Sequence, residues 1–328
     1  MKRREFIRLF GGTVVAWPLT ARAQQPAMPI VAYLSVGSLD ATAGRVNAFR
    51  KGLGETGYAE GRNVQVEYHW LEGQYEHLTA VLDDLIRRHV AVMAIPGSLP
   101  VSLAAKSATN TIPIVFGVAE DPVKLGLVTS LAQPGGNATG INFFAIEIDA
   151  KRLGLMHDML PKAARIAVLL NPSNPRYSEA TSKSLSEAAR SLGLELVFYK
   201  ASTPGEIDAA FAAMTSDRAD ALFVGGEALF ASRGVQIATL AMRDRLPASF
   251  PSRELVQAGL LMSYGTSLID MARQVGIYTG SILKGAKPAD LPVLQSTKFE
   301  FVINLQTARS LNLDIPPMLL ARADEVIE

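Results

Sequence analysis

The 328-residue sequence predicts an α/β protein of two lobes, each a mainly parallel sheet with helices on both faces, and a cleft between the lobes. Three observations carry that reading. Short β-rich apolar runs alternate with helical patterns, the alternation starts again near residue 143, and 48% hydrophobic residues give enough apolar side chain to bury two cores.

The N-terminus reads as a leader. Lys2, Arg3 and Arg4 precede an apolar stretch over 9–19 that Gly11, Gly12 and Pro18 interrupt, too short and too glycine-rich to span a bilayer. Ala21 and Ala23 put small residues where a signal peptidase needs them, so cleavage is expected after Ala23, and the arginine pair marks a Tat-type signal. An amphipathic first helix would instead need polar residues interleaved through 9–19. No cysteine stands at the cleavage site to carry a lipid, so a periplasmic location is expected.

Removing residues 1–23 takes away five basic and one acidic residue, which leaves 27 basic against 30 acidic and a net charge of about −3. No basic stripe remains, so nucleic acid is not an expected partner. No second long apolar run suggests membrane insertion of the mature chain. The absence of cysteine excludes a disulfide framework, a thiolate zinc site and a cysteine nucleophile. His69, His77, His89 and His157 lack ligand spacing, and neither a metal nor a cofactor is expected.

The elements follow in order. Strands are predicted at 30–34, 63–70, 90–95 and 112–117, with helices over 41–55, 75–88 and 101–109 between and among them. After 140–144 come a helix over 149–160, a strand at 165–170, a helix over 178–192 and a strand at 194–199. A helix over 206–214, a strand at 221–224, a helix over 230–244 and strands at 247–250 and 260–264 complete the second series. A helix over 269–284 and a strand at 299–304 remain, too little for a third domain. The expected organisation is therefore lobe 1 over 27–142, with roughly 267–290 returning to it, and lobe 2 over 143–266, with part of 291–328. Hinge crossovers are expected near 142–146, 264–268 and 292–305.

A ligand of such a fold sits at the carboxyl ends of the strands. The candidate residues are accordingly Ser35, Ser38, Gly97, Ser98, Asp121, Phe143 and Phe144 from the first series, and Asn171, Asn174, Glu227, Ser252 and Tyr264 from the second. Each also has an ordinary structural use. Ser98 is placed to cap a helix, although a helix start facing the cleft also offers N–H groups to a carboxylate. Asp121-Pro122 reads as a helix start, and a capping Asp at a cleft edge can also receive an ammonium group. Of Phe143 and Phe144, one is expected in the core and one facing the cleft. Asn171-Pro172-Ser173-Asn174-Pro175 is first a turn, and Glu227 is either a solvated helix start or the second lobe's ligand carboxylate. No Gly-x-Ser-x-Gly, P-loop or His-Glu-x-x-His pattern occurs and no Gly-x-Gly-x-x-Gly follows a strand, so nothing supports catalysis.

The run Asp121-Pro122-Val123-Lys124-Leu125-Gly126-Leu127-Val128, continued by Ser130-Leu131-Ala132-Gln133-Pro134-Gly135-Gly136-Asn137-Ala138-Thr139-Gly140, resembles the central motif of the ABC-transporter substrate-binding family that includes TrpX-like proteins. Leu169-Leu170-Asn171-Pro172-Ser173-Asn174-Pro175 and Glu187-Ala188-Ala189-Arg190-Ser191-Leu192-Gly193 extend the resemblance. It implies a type I periplasmic binding fold, an aromatic amino acid or related aromatic or carboxylated compound as small-molecule ligand, and a cognate ABC permease in the inner membrane; no enzymatic activity is expected, and the mature chain is expected to be a monomer. Two alternatives stay open on sequence: a periplasmic ligand-sensing module for a membrane sensor, and a periplasmic α/β enzyme.

Overall fold

The computed structural model describes residues 28–328 except Gly73, Phe144 and Ala145; the leader expected over 1–23 and the candidate Phe144 lie outside the described residues. The first series runs β1 (Ile30–Ser35), α1 (Leu39–Glu55), β2 (Gln65–Trp70), α2 (Leu78–Arg87), β3 (Val92–Pro96), α3 (Leu99–Ala108), β4 (Ile114–Val118) and β5 (Ala138–Asn142). The second runs α4 (Ile146–Met159), β6 (Arg165–Leu170), α5 (Pro175–Leu192), β7 (Glu195–Lys200), α6 (Pro204–Ser216), β8 (Ala221–Val224), α7 (Ala228–Ser232), α8 (Gly234–Arg243), β9 (Ala248–Phe250), α9 (Arg253–Gln257) and β10 (Met262–Thr266). The chain ends with α10 (Leu268–Leu283), β11 (Leu294–Gln295), β12 (Phe299–Asn304), α11 (Leu305–Ser310), α12 (Pro317–Arg322) and β13 (Glu325–Ile327).

Two sheets result, ordered β11-β5-β4-β3-β1-β2 and β13-β12-β10-β9-β8-β6-β7. Every described pairing is parallel except β10 with β12. Strands such as β3, β4 and β8 are apolar almost throughout because helices cover both of their faces, which removes the polar-out alternation of a half-exposed sheet. In the first sheet Ala32, Leu34, Met93 and Ile95 face α2 and α3, while Val31, Tyr33, Val92 and Ala94 face α1 and α10. In the second, Ile166, Val168 and Phe223 face α4 and α5, while Ala167, Leu169 and Leu222 face α6 and α8.

Local chemistry sets the helix ends. Ser98, Asn174, Thr203, Ser267 and Asn304 each accept a backbone N–H as N-caps, and proline opens α3, α5 and α6, where a missing N–H costs nothing. α10 returns to the first sheet and lies against α1 so closely that a Cβ on Gly276 would stand 2.2 Å from the Phe49 carbonyl oxygen. β11 then joins the first sheet and β12 the second, so the polypeptide passes between sheets three times: β5 to α4, β10 to α10, and β11 to β12.

Two expected helices differ. Asp121-Pro122 starts no helix: 122–126 is a run of turns that ends at Gly126, whose φ of +73° is left-handed and stops helical propagation. The helix expected over 230–244 is two, α7 and α8, which meet at Arg233.

Candidate functional site

Each sheet has a switch point, where loops from neighbouring strands leave toward opposite faces and open a crevice at the carboxyl edge. In the first sheet it lies between β1 and β3, because α1 and α3 cover opposite faces; in the second it lies between β6 and β8, because α5 and α8 do. Ser35, Ser38, Gly97 and Ser98 stand at the first, and Asn171, Asn174 and Glu227 at the second.

At the first switch point Ser35 is buried, and its hydroxyl accepts the Gly37 N–H at 3.3 Å. Ser38 is half-buried, and its carbonyl accepts the Thr42 hydroxyl at 2.7 Å. Gly97 takes a φ of +99° and donates its N–H to the Gly117 carbonyl at 3.0 Å. Its Cβ position would lie 3.7 Å from Arg45 Nη1, which brings that guanidinium to the loop; Arg45 Nε is buried without a hydrogen-bond partner among the described residues. Ser98 is spent on its own helix, accepting the Val101 N–H at 3.4 Å, and the Tyr75 hydroxyl meets it there. Burial raises the Tyr75 pKa, with Ser98 opposing.

Asp121 is exposed on the rim. It accepts the N–H groups of Val123 at 3.0 Å and Lys124 at 3.3 Å and pairs with the Lys124 ammonium at 3.4 Å. Some burial opposes, but these donors hold the carboxyl below its ordinary range. The carboxylate that acts on the other lobe is the preceding one. Burial pushes Glu120 up, and its field in turn raises Glu227. Phe143 is half-buried and packs into the first lobe's core with Tyr33 and Met271.

Across the cleft, Asn171 Oδ1 accepts the Ser173 N–H at 2.9 Å, a local turn. Asn174 spans the second switch point: it caps α5 through the Tyr177 N–H, while its Nδ2 donates to Glu227 Oε1 at 3.1 Å. Glu227 precedes α7 without capping it, and its carboxyl is pushed up to about 7, first by burial and then by Glu120, with Asn174 opposing. A half-buried carboxyl raised so far is the usual mark of a functional cleft.

Ser252 is the N-cap residue of α9 but makes no side-chain cap. It lines a crevice with Pro251, Glu254, Ser263, Thr266 and Glu300, in which Glu254 Oε2 and Thr266 Oγ1 are buried without partners among the described residues. Tyr264 is given to the second lobe's interior: it is 8% exposed, lies 6.2 Å from Phe299 ring to ring, and carries Lys151 Nζ at 4.7 Å over its face.

The structure thus gathers Gly97 and Ser98 with Arg45 and Tyr75 on one edge, and Asn174 with Glu227 on the other, and brings Glu120 within electrostatic reach of Glu227. Phe143 and Tyr264 are held by packing in their own lobes, and Asp121 by its own turn. Arg45, Tyr75 and Glu120 are additions the sequence reading lacks. Only Glu120 carried a signal, as the neighbour of a chosen residue. Among the described residues no group of side chains could hold a metal ion, and no helix is long and apolar enough to cross a membrane.

The sequence profile of the family described as ABC transporter substrate binding protein matches residues 28–327. The tyrosine-binding protein of Clostridioides difficile (strain R20291) is 28% identical over 266 residues, which are 81% of this chain and 75% of that protein. A solved ABC domain from Streptococcus pneumonia in complex with L-Trp superposes with a TM-score of 0.82 at 25% identity, covering 91% of this chain and 99% of that one. A conserved domain protein from Vibrio cholerae superposes with a TM-score of 0.80 at 27% identity, with the same coverage. The architecture shared with these structures is the type I periplasmic binding fold.

Proposed function

Because the chain belongs to the ABC transporter substrate-binding protein family, we propose that it is exported to the periplasm, closes its lobes on an aromatic amino acid and delivers it to a membrane permease. One observation carries the ligand class: Glu120 and Glu227 approach from opposite lobes, both partly buried, and neither has an ion-pair partner within 4 Å among the described residues. Two such carboxylates repel, and a cation between them removes the repulsion. The ammonium group of an amino acid supplies that cation. Its carboxylate goes to the other switch point, where Arg45 and the first backbone N–H groups of α3 offer donors, and Tyr75 covers the ring.

The tyrosine-binding relative and the L-Trp complex support the choice of an aromatic side chain. The leader expected over 1–23 supports export, and the family supports the permease. A thermal-shift panel tests the ligand. At one hundred times its dissociation constant a ligand stabilises the folded state by about 2.7 kcal/mol, a rise in Tm of roughly 5–10 °C for a chain of this size. L-tyrosine, L-tryptophan or L-phenylalanine should give that rise. A response confined to sugars or to ligands without an amine would overturn the reading.

A further inference from the structure

Glu227 is held at two points by the first turn of α5. The Asn174 amide donates to its carboxylate at 3.1 Å, and three residues on, the Tyr177 hydroxyl accepts the Gly226 N–H at 2.8 Å. That hydroxyl donates in turn to Asp149 Oδ2 at 3.1 Å, an oxygen that also accepts the Thr181 hydroxyl at 3.0 Å. Arg152 Nη2 donates to the other Asp149 oxygen at 3.1 Å and to the Val224 carbonyl, at the end of β8, at 2.9 Å. The Arg152 guanidinium lies 3.8 Å from the centre of the Phe223 ring.

This is an unusual thing to bury. Arg152 has no solvent exposure, its Nε and Nη1 lack partners among the described residues, and Asp149, Tyr177 and Thr181 are all at or below 4% exposure. Apolar side chains of similar volume would fill such a site at equal or greater stability, so the network is poorly explained as a stabilising device. Its geometry offers another explanation. It begins on α4, the helix that follows the first crossing between sheets, and it ends on the peptide N–H one residue before Glu227. Glycine at 226 lets the backbone lie on the tyrosine, since a Cβ there would come within 3.3 Å of the hydroxyl and 3.0 Å of Pro251 Cγ.

We propose that Tyr177 is a positioning residue: its hydroxyl, anchored by Asp149 and Arg152, fixes the Gly226 backbone so that Glu227 stays turned into the cleft toward Glu120. The inference rests on Glu227 being a ligand carboxylate, but its test does not require the ligand. The groups that bear on Glu227 are Glu120 from the first lobe and Asn174 from α5, with Arg176 the cation acting on Glu120. Freed from Tyr177, the loop carries Glu227 toward solvent and away from Glu120, so its titration midpoint falls.

Carbon-13 carboxyl NMR of the ligand-free protein reads that midpoint, with Glu227→Gln assigning the signal. Tyr177→Phe keeps the ring and removes the hydroxyl; Thr181→Val removes a hydroxyl from the same Asp149 oxygen without reaching Gly226. Tyr177→Phe should lower the Glu227 midpoint by about one pH unit or more, and Thr181→Val should leave it within about 0.3, since only the former alters burial and the Glu120 field. Urea denaturation of both variants reports their stability, and a comparable loss in each shows that the difference in titration is not general loosening. With L-tyrosine as probe, Tyr177→Phe should weaken binding about tenfold and Thr181→Val less than about twofold. An unmoved midpoint in Tyr177→Phe, or an equal movement in both variants, overturns the proposal. If the unsubstituted protein binds neither L-tyrosine nor L-tryptophan, the ligand assignment fails while the titration still decides the role of Tyr177.

Discussion

Replacing Glu227 with Gln should stabilise the empty protein at alkaline pH and weaken its hold on the ligand, two effects of opposite sign from one substitution. The Glu227 carboxyl titrates at about 7 in the folded chain, against an ordinary 4.5, because burial and then Glu120 penalise its charge. A raised carboxyl favours the folded state while it is protonated. That contribution is complete below about 4.5 and is lost as the pH rises through 7. A difference of roughly 2.5 pH units sets a ceiling of about 3 kcal/mol, and solvent reaching a half-buried group reduces it to about 1–2 kcal/mol. Glutamine is neutral at every pH and its carbonyl still accepts the Asn174 amide. Urea denaturation should therefore give nearly equal stabilities at pH 4.5 and an advantage of about 1–2 kcal/mol for Glu227→Gln at pH 8. The variant should bind its amino acid more weakly by about 2–5 kcal/mol, the cost of losing one side of a buried charge pair. If Glu227→Gln is less stable at pH 8, the carboxylate serves the fold and the reasoning is refuted.

Arg45→Gln should weaken L-tyrosine binding about 10- to 100-fold while leaving tyramine, which has no carboxylate, unchanged by calorimetry. Asp121→Asn should leave ligand affinity within about twofold and cost under about 1 kcal/mol in denaturation, because that carboxylate is exposed and occupied with its own turn. Gly276→Ala should cost about 1–3 kcal/mol in the same assay, since the added Cβ meets the Phe49 carbonyl and α1 and α10 must part. Replacing Arg3 and Arg4 by Lys should leave unprocessed precursor in the cytoplasm on fractionation and immunoblotting.

The fold was legible wherever a strand is buried on both faces. β1, β6 and β8 are short apolar runs closed by turn residues, and helices of clear pattern follow them. β11 was not legible, because two exposed residues carry no pattern and pair with β5 only through tertiary placement. The turn after β4 misled for a local reason: Asp-Pro is a helix start in most contexts, but Gly126 ends this one within a turn.

The site divides in the same way. Loop positions follow from strand ends, so Gly97, Ser98, Asn174 and Glu227 could be placed at the two switch points. A loop has no period to fix which side chain faces inward, so preferring Glu120 to Asp121 was beyond sequence pattern. Arg45 lies on α1, six residues beyond Leu39 where that helix begins, and reaches Gly97 only through the packing of α1 across the sheet edge. Arg152 sits among charged neighbours on α4 and reads as part of a solvated face; that it is wholly buried against Phe223 is decided by α4 docking on the second sheet.

In the proposed function the two edges divide one zwitterion, the ammonium to Glu120 and Glu227 and the carboxylate to Arg45 and the 97–98 loop. Isothermal titration calorimetry at pH 8 with L-tyrosine, tyramine and 3-(4-hydroxyphenyl)propionate tests it directly. L-tyrosine should bind, with each analogue at least about a hundredfold weaker, because each leaves one buried charged group of the cleft without its partner. Binding of 3-(4-hydroxyphenyl)propionate as tightly as L-tyrosine would contradict the claim, because the two glutamates would then have no cation to receive.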